Sequence, residues 1–230
     1  MLGIFVGPIL CLLLYACGIA HGTAPLIASM LFSAFLFGAL STKGKQATLF
    51  FIFAGLVFLI LGFGLVPGFT RINLGGASIA SGKALAGLSA MAAFPSKWAW
   101  NSRCSMIAVA CLVGVPSLAW YIGYIHWTPA TPHALVVFAI ANIFSTTSEE
   151  WFFRRWVQQP LQRFGAVPSL VITAILFGLV HFASGHIFMM LAAIAGLAYA
   201  SVYRVSGGSI WAAVVLHWTL NVLRIALFGL

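Results

Sequence analysis

Apolar runs of 17 to 23 residues follow one another along almost the whole of this 230-residue chain. They lie at about 4–20, 24–41, 47–66, 104–125, 134–156, 167–184, 186–203 and 208–228. The hydrocarbon core of a bilayer takes about 20 helical residues to cross, so each run is a candidate span. Lipid offers no partner for backbone N–H and C=O groups, which leaves helices or a closed barrel. The runs lack strict apolar–polar alternation, and that chooses helices. The expectation is an all-α fold, a polytopic transmembrane helical bundle of about eight spans forming one membrane domain. Residues 1–133 supply the N-terminal helices and loops, and residues 134–230 a core of four helices. Region 77–94 is rich in small residues (Gly82, Ala84, Ala86, Gly87) and only weakly apolar. It reads as a short span, a re-entrant hairpin or an interfacial helix.

Charge sharpens this picture. Charged residues are 6% of the chain and hydrophobic ones 63%, whereas a soluble domain is about a quarter charged. That excludes a soluble globular protein and a disordered tail. The 11 Lys and Arg face only two acids, but they form no basic run, so nucleic acid is not the expected partner. Scattered between apolar stretches, they fit the positive-inside bias of a multi-pass protein. If 77–94 spans, Lys43, Lys45, Lys97, Arg103, Arg154, Arg155, Arg163 and Arg204 share one side, against Arg71, Lys83 and Arg224. If it does not, Arg71 and Lys83 replace Lys43 and Lys45, and the count is again eight against three. In both versions the 157–166 and 204–208 connections are cytoplasmic. An integral protein of a prokaryotic plasma membrane is expected, with the first apolar run retained as a helix.

Several features read as structural. Cys11, Cys17, Cys104 and Cys111 show no metal or redox spacing and read as helix-buried thiols. Tyr121, Tyr124, His126 and Trp127 read as an interfacial aromatic cluster. His21, His126 and His133 read as loop or interfacial histidines. Ala192, Gly196 and Ala200, at four-residue steps, let two helices approach closely.

Three polar clusters do not fit so easily, because an ionisable group in a span costs about 2.5–3.5 kcal/mol on insertion scales. The first holds the only acids of the chain, Glu149 and Glu150, followed by Arg154. On a helix Glu150 and Arg154 are i,i+4 neighbours that can pair. Glu149, about 100° round the helix, has no cation on its own helix. Two adjacent carboxylates at low dielectric cannot both ionise cheaply, and such pairs supply general bases. The second cluster places Phe177 and His181 on one face. The third places His217 and Asn221 on one face, two donors suited to an oxyanion hole or to a clasp between helices.

The ordered set E-E-x-x-x-R, F-x-x-x-H and H-x-x-x-N, with the Gly207-Gly208-Ser209-Ile210-Trp211 lead into the last run, resembles the CPBP family of intramembrane proteases. That family includes CAAX prenyl endopeptidases and Abi-like bacterial relatives. The resemblance covers about 134–228 and makes that core the catalytic one. It implies an intramembrane endopeptidase of glutamic type acting on a membrane-anchored protein or peptide. Glu149 with His181 would activate the attacking water. Glu150 and Arg154 would support and orient them, and His217 with Asn221 would stabilise the oxyanion. No cofactor is expected. Glu149, Glu150, His181 and His217 are enough ligands for a zinc-dependent version, although no HExxH is present. Arg155 stands where many relatives have Gly.

Span counting sets Glu149 toward the cytoplasmic end of its helix and His181 toward the far end of its own. Their meeting requires a tilt, a stagger or a break, for which Ser145–Ser148 is the candidate. The competing readings are a transporter or ion pathway built on the same Glu, Arg and His, a transpeptidase using Cys104 or Cys111, and a haem protein using His181 and His217.

Overall fold

A computed structural model describes residues 2–229. Its helices are α1 (Val6–Ala16), α2 (Ala24–Ser41), α3 (Gly44–Gly62), α4 (Ser81–Ala93), α5 (Ser102–Tyr121) and α6 (Pro132–Phe152). They continue with a single turn α7 (Gln159–Leu161), then α8 (Ala166–Leu179), α9 (His186–Val205) and α10 (Ile210–Phe228). The chain forms two compact units, Met1–Pro95 with Ile140–Phe152, and Ser96–Ala139 with Phe153–Leu230.

The all-α membrane-type bundle is what the apolar runs dictate. Helices α2, α3, α5, α9 and α10 are long and apolar enough to cross a membrane. The apolar helices at Gly3–Ala16 and Ala166–Leu179 are shorter, and α6 carries the two glutamates. Large apolar side chains such as Leu12, Ile27, Met30, Met106, Val109, Met190 and Ile194 point outward from their helices. Such a surface is unstable in water and ordinary in lipid. The chain is a multi-pass integral membrane protein. Among the described residues five helices reach that length and apolarity, beside the expectation of about eight spans.

In the first unit, α1, α2, α3 and α4 pack pairwise. The ambiguous 77–94 region begins in a small antiparallel hairpin, β1 (Arg71–Asn73) with β2 (Ser78–Ala80), in register Arg71 to Ala80. Gly75 and Gly76, both at positive φ, turn it. The hairpin feeds α4, whose 13 residues extend about 20 Å at 1.5 Å per residue. That is too short to cross alone. The small residues instead let α4 bury itself, with Leu85, Ala86, Gly87, Ser89 and Ala90 all inside.

In the second unit α9 is central and packs on α5, α8 and α10. Its small-residue stripe does what the spacing suggests. A Cβ on Gly196 would meet the Phe177 ring at 3.0 Å, and one on Gly178 would meet Ala193 Cβ at 2.8 Å. Close backbone approach is thus built into the α8–α9 crossing. Asn101 caps α5 by accepting from the Cys104 amide, and Ser209 caps α10 by accepting from Ala212. Three cysteines are buried as expected, but Cys17 is exposed at the end of α1, where its helix has run out of neighbours. His21, His126 and His133 are exposed.

Candidate active site

The first unit holds both carboxylates on α6. The suggested break at Ser145–Ser148 is absent, since α6 is continuous through it. The hydroxyls there satisfy themselves locally. Thr146 Oγ1 donates to Asn142 O, and Ser148 Oγ donates to Phe144 O and to Lys83 O. The departure from α geometry comes one turn later, as a π-helical stretch at Phe153–Gln158. Wide turns of this kind concentrate at functional sites. Helical turns then run on through α7 to Phe164. Glu149 thus lies three residues before the end of α6, with helical turns continuing beyond it.

Glu149 has a cation that sequence reasoning assigned elsewhere. Lys83 Nζ on α4 lies 2.5 Å from Glu149 Oε1 and also donates to Ser145 Oγ at 2.8 Å. Ser145 Oγ in turn donates to the same carboxylate oxygen at 3.0 Å. Both charged side chains are about four-fifths buried. Lys83 therefore does not count among the loop charges that set orientation. Its removal leaves the C-terminal assignment unchanged, because the other cations carry it. A cavity of about 180 Å³ adjoins this pair, lined by Arg71, Ser78, Lys83, Phe144 and Ser145. A water molecule claims about 30 Å³ of liquid, so the space suits a small group of waters. Glu150, one residue on, is fully buried.

Close packing fixes this arrangement. A Cβ on Gly87 of α4 would lie 2.7 Å from Ser148 Cα. Only glycine allows α4 so near α6. The Trp151 indole N–H donates to Phe94 O at the end of α4 and is itself wholly buried.

Arg154, His181, His217 and Asn221 belong to the second unit. Arg154 is fully buried, and its Nη1 donates to Gln158 Oε1. Gln158 Nε2 donates to Ala200 O of α9 at 2.8 Å, and Ser169 Oγ donates to Gln158 O. The guanidinium is thereby tied to α9 through one amide side chain. His181 follows α8 at the start of a short 3-10 turn. Helix α8 has 14 residues, about 21 Å at 1.5 Å per residue, so it ends well short of the full hydrocarbon thickness. His181 comes directly after the C-terminal end of α8.

The tautomer of His181 follows from its partner. Nδ1 lies 2.7 Å from Phe177 O, and a carbonyl can only accept, so Nδ1 carries the hydrogen. In the neutral ring Nε2 then holds the lone pair a base needs. Phe177 is the common wall of the histidines. Its ring centroid lies 5.1 Å from that of His181 and 5.5 Å from that of His217. Tyr199 stacks on His217 at 4.5 Å and 14°. His217 is buried on α10, and Asn221 lies one turn further on the same face. Sequence reasoning missed Lys83, Ser145, Gln158 and Tyr199. A lysine within a small-residue apolar stretch was the one available signal.

Residues 129–223 match the family model described as type II CAAX prenyl endopeptidase Rce1-like. These residues form an Rce1-like segment. The matched segment contains Glu149, Glu150, Arg154, His181, His217 and Asn221. Lys83 lies outside it. Neither the curated proteins nor the solved structures yield a match to this chain.

Proposed function

We propose that this protein is an intramembrane endopeptidase that hydrolyses a peptide bond of a membrane-anchored protein or peptide with a glutamate-activated water. The observation that carries this reading is the partly buried Glu149 carboxylate, held at a defined position by Lys83 and Ser145 beside a polar cavity. A chain that otherwise discards acids spends a lysine on keeping this one in place. An isolated charge would be costly there, and the ammonium compensates it.

In the proposed reaction, the water oxygen attacks the scissile carbonyl carbon and Glu149 takes one proton. His181 Nε2 accepts a hydrogen bond from the same water. His217 and Asn221 donate to the oxyanion that forms, a type of contact worth about 3–4 kcal/mol of barrier per donor. As the tetrahedral species collapses, the C–N bond breaks and the proton passes from Glu149 to the leaving amine. Glu150, Arg154 and Gln158 are positioning residues. A zinc-dependent version fits less well. The Lys83 ammonium already sits against the Glu149 carboxylate and repels a second cation there. The favoured substrates are prenylated CAAX-type proteins or bacterial membrane peptides, and the favoured location is a prokaryotic plasma membrane.

The test is cleavage of a farnesylated CAAX peptide and of single-span peptide substrates in proteoliposomes, with the cut site mapped by mass. One defined cut in either class, reduced at least a hundredfold by His217→Ala and unaffected by a chelator, is expected. Ion flux without cleavage would favour the transporter reading, and loss of cleavage with a chelator would favour zinc.

A further inference from the structure

The second unit contains no Asp or Glu side chain at all. It nevertheless gathers three arginines around one open cleft of about 880 Å³. Arg103 comes from the first turn of α5, Arg155 from the π-helical stretch and Arg204 from the last turn of α9. Gln159, Gln162 and Tyr203 complete the polar wall. Like charges brought together repel. The volume falls in the range of about 300–1,000 Å³ usual for small-ligand sites.

The cleft is built, not incidental. Asn101 Nδ2 donates to Val205 O at 2.7 Å and so joins the start of α5 to the end of α9. Arg155 Nη1 donates to Gln159 Oε1 at 2.9 Å, which fixes the fork of one guanidinium. Gly207 and Gly208, both at positive φ, turn the chain at its edge.

Its depth is also defined. The cleft lies where two candidate spans, Ser102–Tyr121 and His186–Val205, end on the same side. Trp98 and Trp100 stack at 6.0 Å and 9° just before α5, and Trp98 is exposed. Arg163 lies 4.7 Å over the exposed Phe164 ring. Exposed tryptophans and aromatic–arginine pairs belong at the headgroup level. The charge count assigns this end to the cytoplasm, where the leaflet carries anionic lipid.

We propose that the cleft of Arg103, Arg155 and Arg204 binds a phosphate group at the cytoplasmic membrane surface, the headgroup of an anionic phospholipid or a free phosphate. Guanidinium forks match phosphate oxygens two at a time. None of the proposed catalytic residues lines the cleft.

The experiment compares wild type with Arg103→Ala/Arg204→Ala and Arg103→Lys/Arg204→Lys. Both altered arginines are exposed, and thermal melts check that the variants fold. Native mass spectrometry from mixed phosphatidylglycerol and phosphatidylcholine micelles reads lipid retention, and a titration with inorganic phosphate reads free-anion binding. Wild type retains phosphatidylglycerol at least tenfold over phosphatidylcholine. The alanine pair loses that preference and the lysine pair keeps part of it. Retention that millimolar phosphate does not displace identifies the lipid headgroup. Saturable phosphate binding that competes with the lipid and vanishes in the alanine pair identifies the free anion. Equal retention of both lipids by wild type, with no phosphate binding, overturns the proposal. So does an alanine pair that folds and behaves as wild type.

Discussion

Glu149 is held by side chains far from it in sequence. Lys83 and Ser145 both bond its Oε1. If Lys83 positions the carboxylate, Lys83→Ala lowers kcat at least tenfold, about 1.4 kcal/mol of barrier, with a smaller change in KM. Lys83→Arg restores part of it. A purely structural role would instead lower the melting temperature and leave kcat per folded molecule unchanged. The carboxylates and histidines were legible because each is expensive in an apolar chain. Lys83 was not, because a cation near a weakly apolar segment is indistinguishable from a loop charge until the segment folds into α4. Gln158 and Tyr199 were invisible for a related reason. Neutral polar and aromatic residues are common at helix ends and carry no cost that marks them.

Among the elements, apolar run length located the helices well. The 24–41 run coincides with α2, and the last run begins two residues before α10. Run length could not report the quality of the turns. It counted 134–156 as one ordinary span, whereas α geometry gives way to a π stretch from Phe153. Nor could it separate apolar residues that face lipid from those that end a helix early, as at Leu179. Two helix crossings also depend on single glycines. Gly87→Ala forces α4 away from Ser148 and should cost about 1–3 kcal/mol, read as a lower melting temperature in micelles. Gly114, inside α5 with open space where a Cβ would go, provides the contrast. There Gly114→Ala should be neutral or raise stability by about 0.5–1 kcal/mol. Equal effects at the two positions would show that close packing at Gly87 is not what the glycine serves.

At the scale of the whole molecule, orientation rests on cations that remain in connections once Lys83 is removed from the count. In a Cys17→Ser background, Gln162→Cys should react with an impermeant maleimide only from the cytoplasmic face, and Tyr121→Cys only from the opposite one. Labelling of both from one face would reverse the assignment. The membrane class and the helical bundle were legible from composition alone, since lipid leaves so few alternatives. The number of full spans was not, because short helices such as α4 and α8 carry the same residues as spans. Cys104 and Cys111 are buried in α5, and changing both to Ser should leave cleavage intact.

The most direct test of the central claim is cleavage by Glu149→Gln. This substitution keeps the shape and the hydrogen bonds to Lys83 and Ser145 but removes the proton acceptor. The account requires a folded, membrane-inserted protein whose cleavage of the wild-type substrate is lost, by at least a thousandfold. Cleavage retained at near wild-type rate by that variant would contradict it.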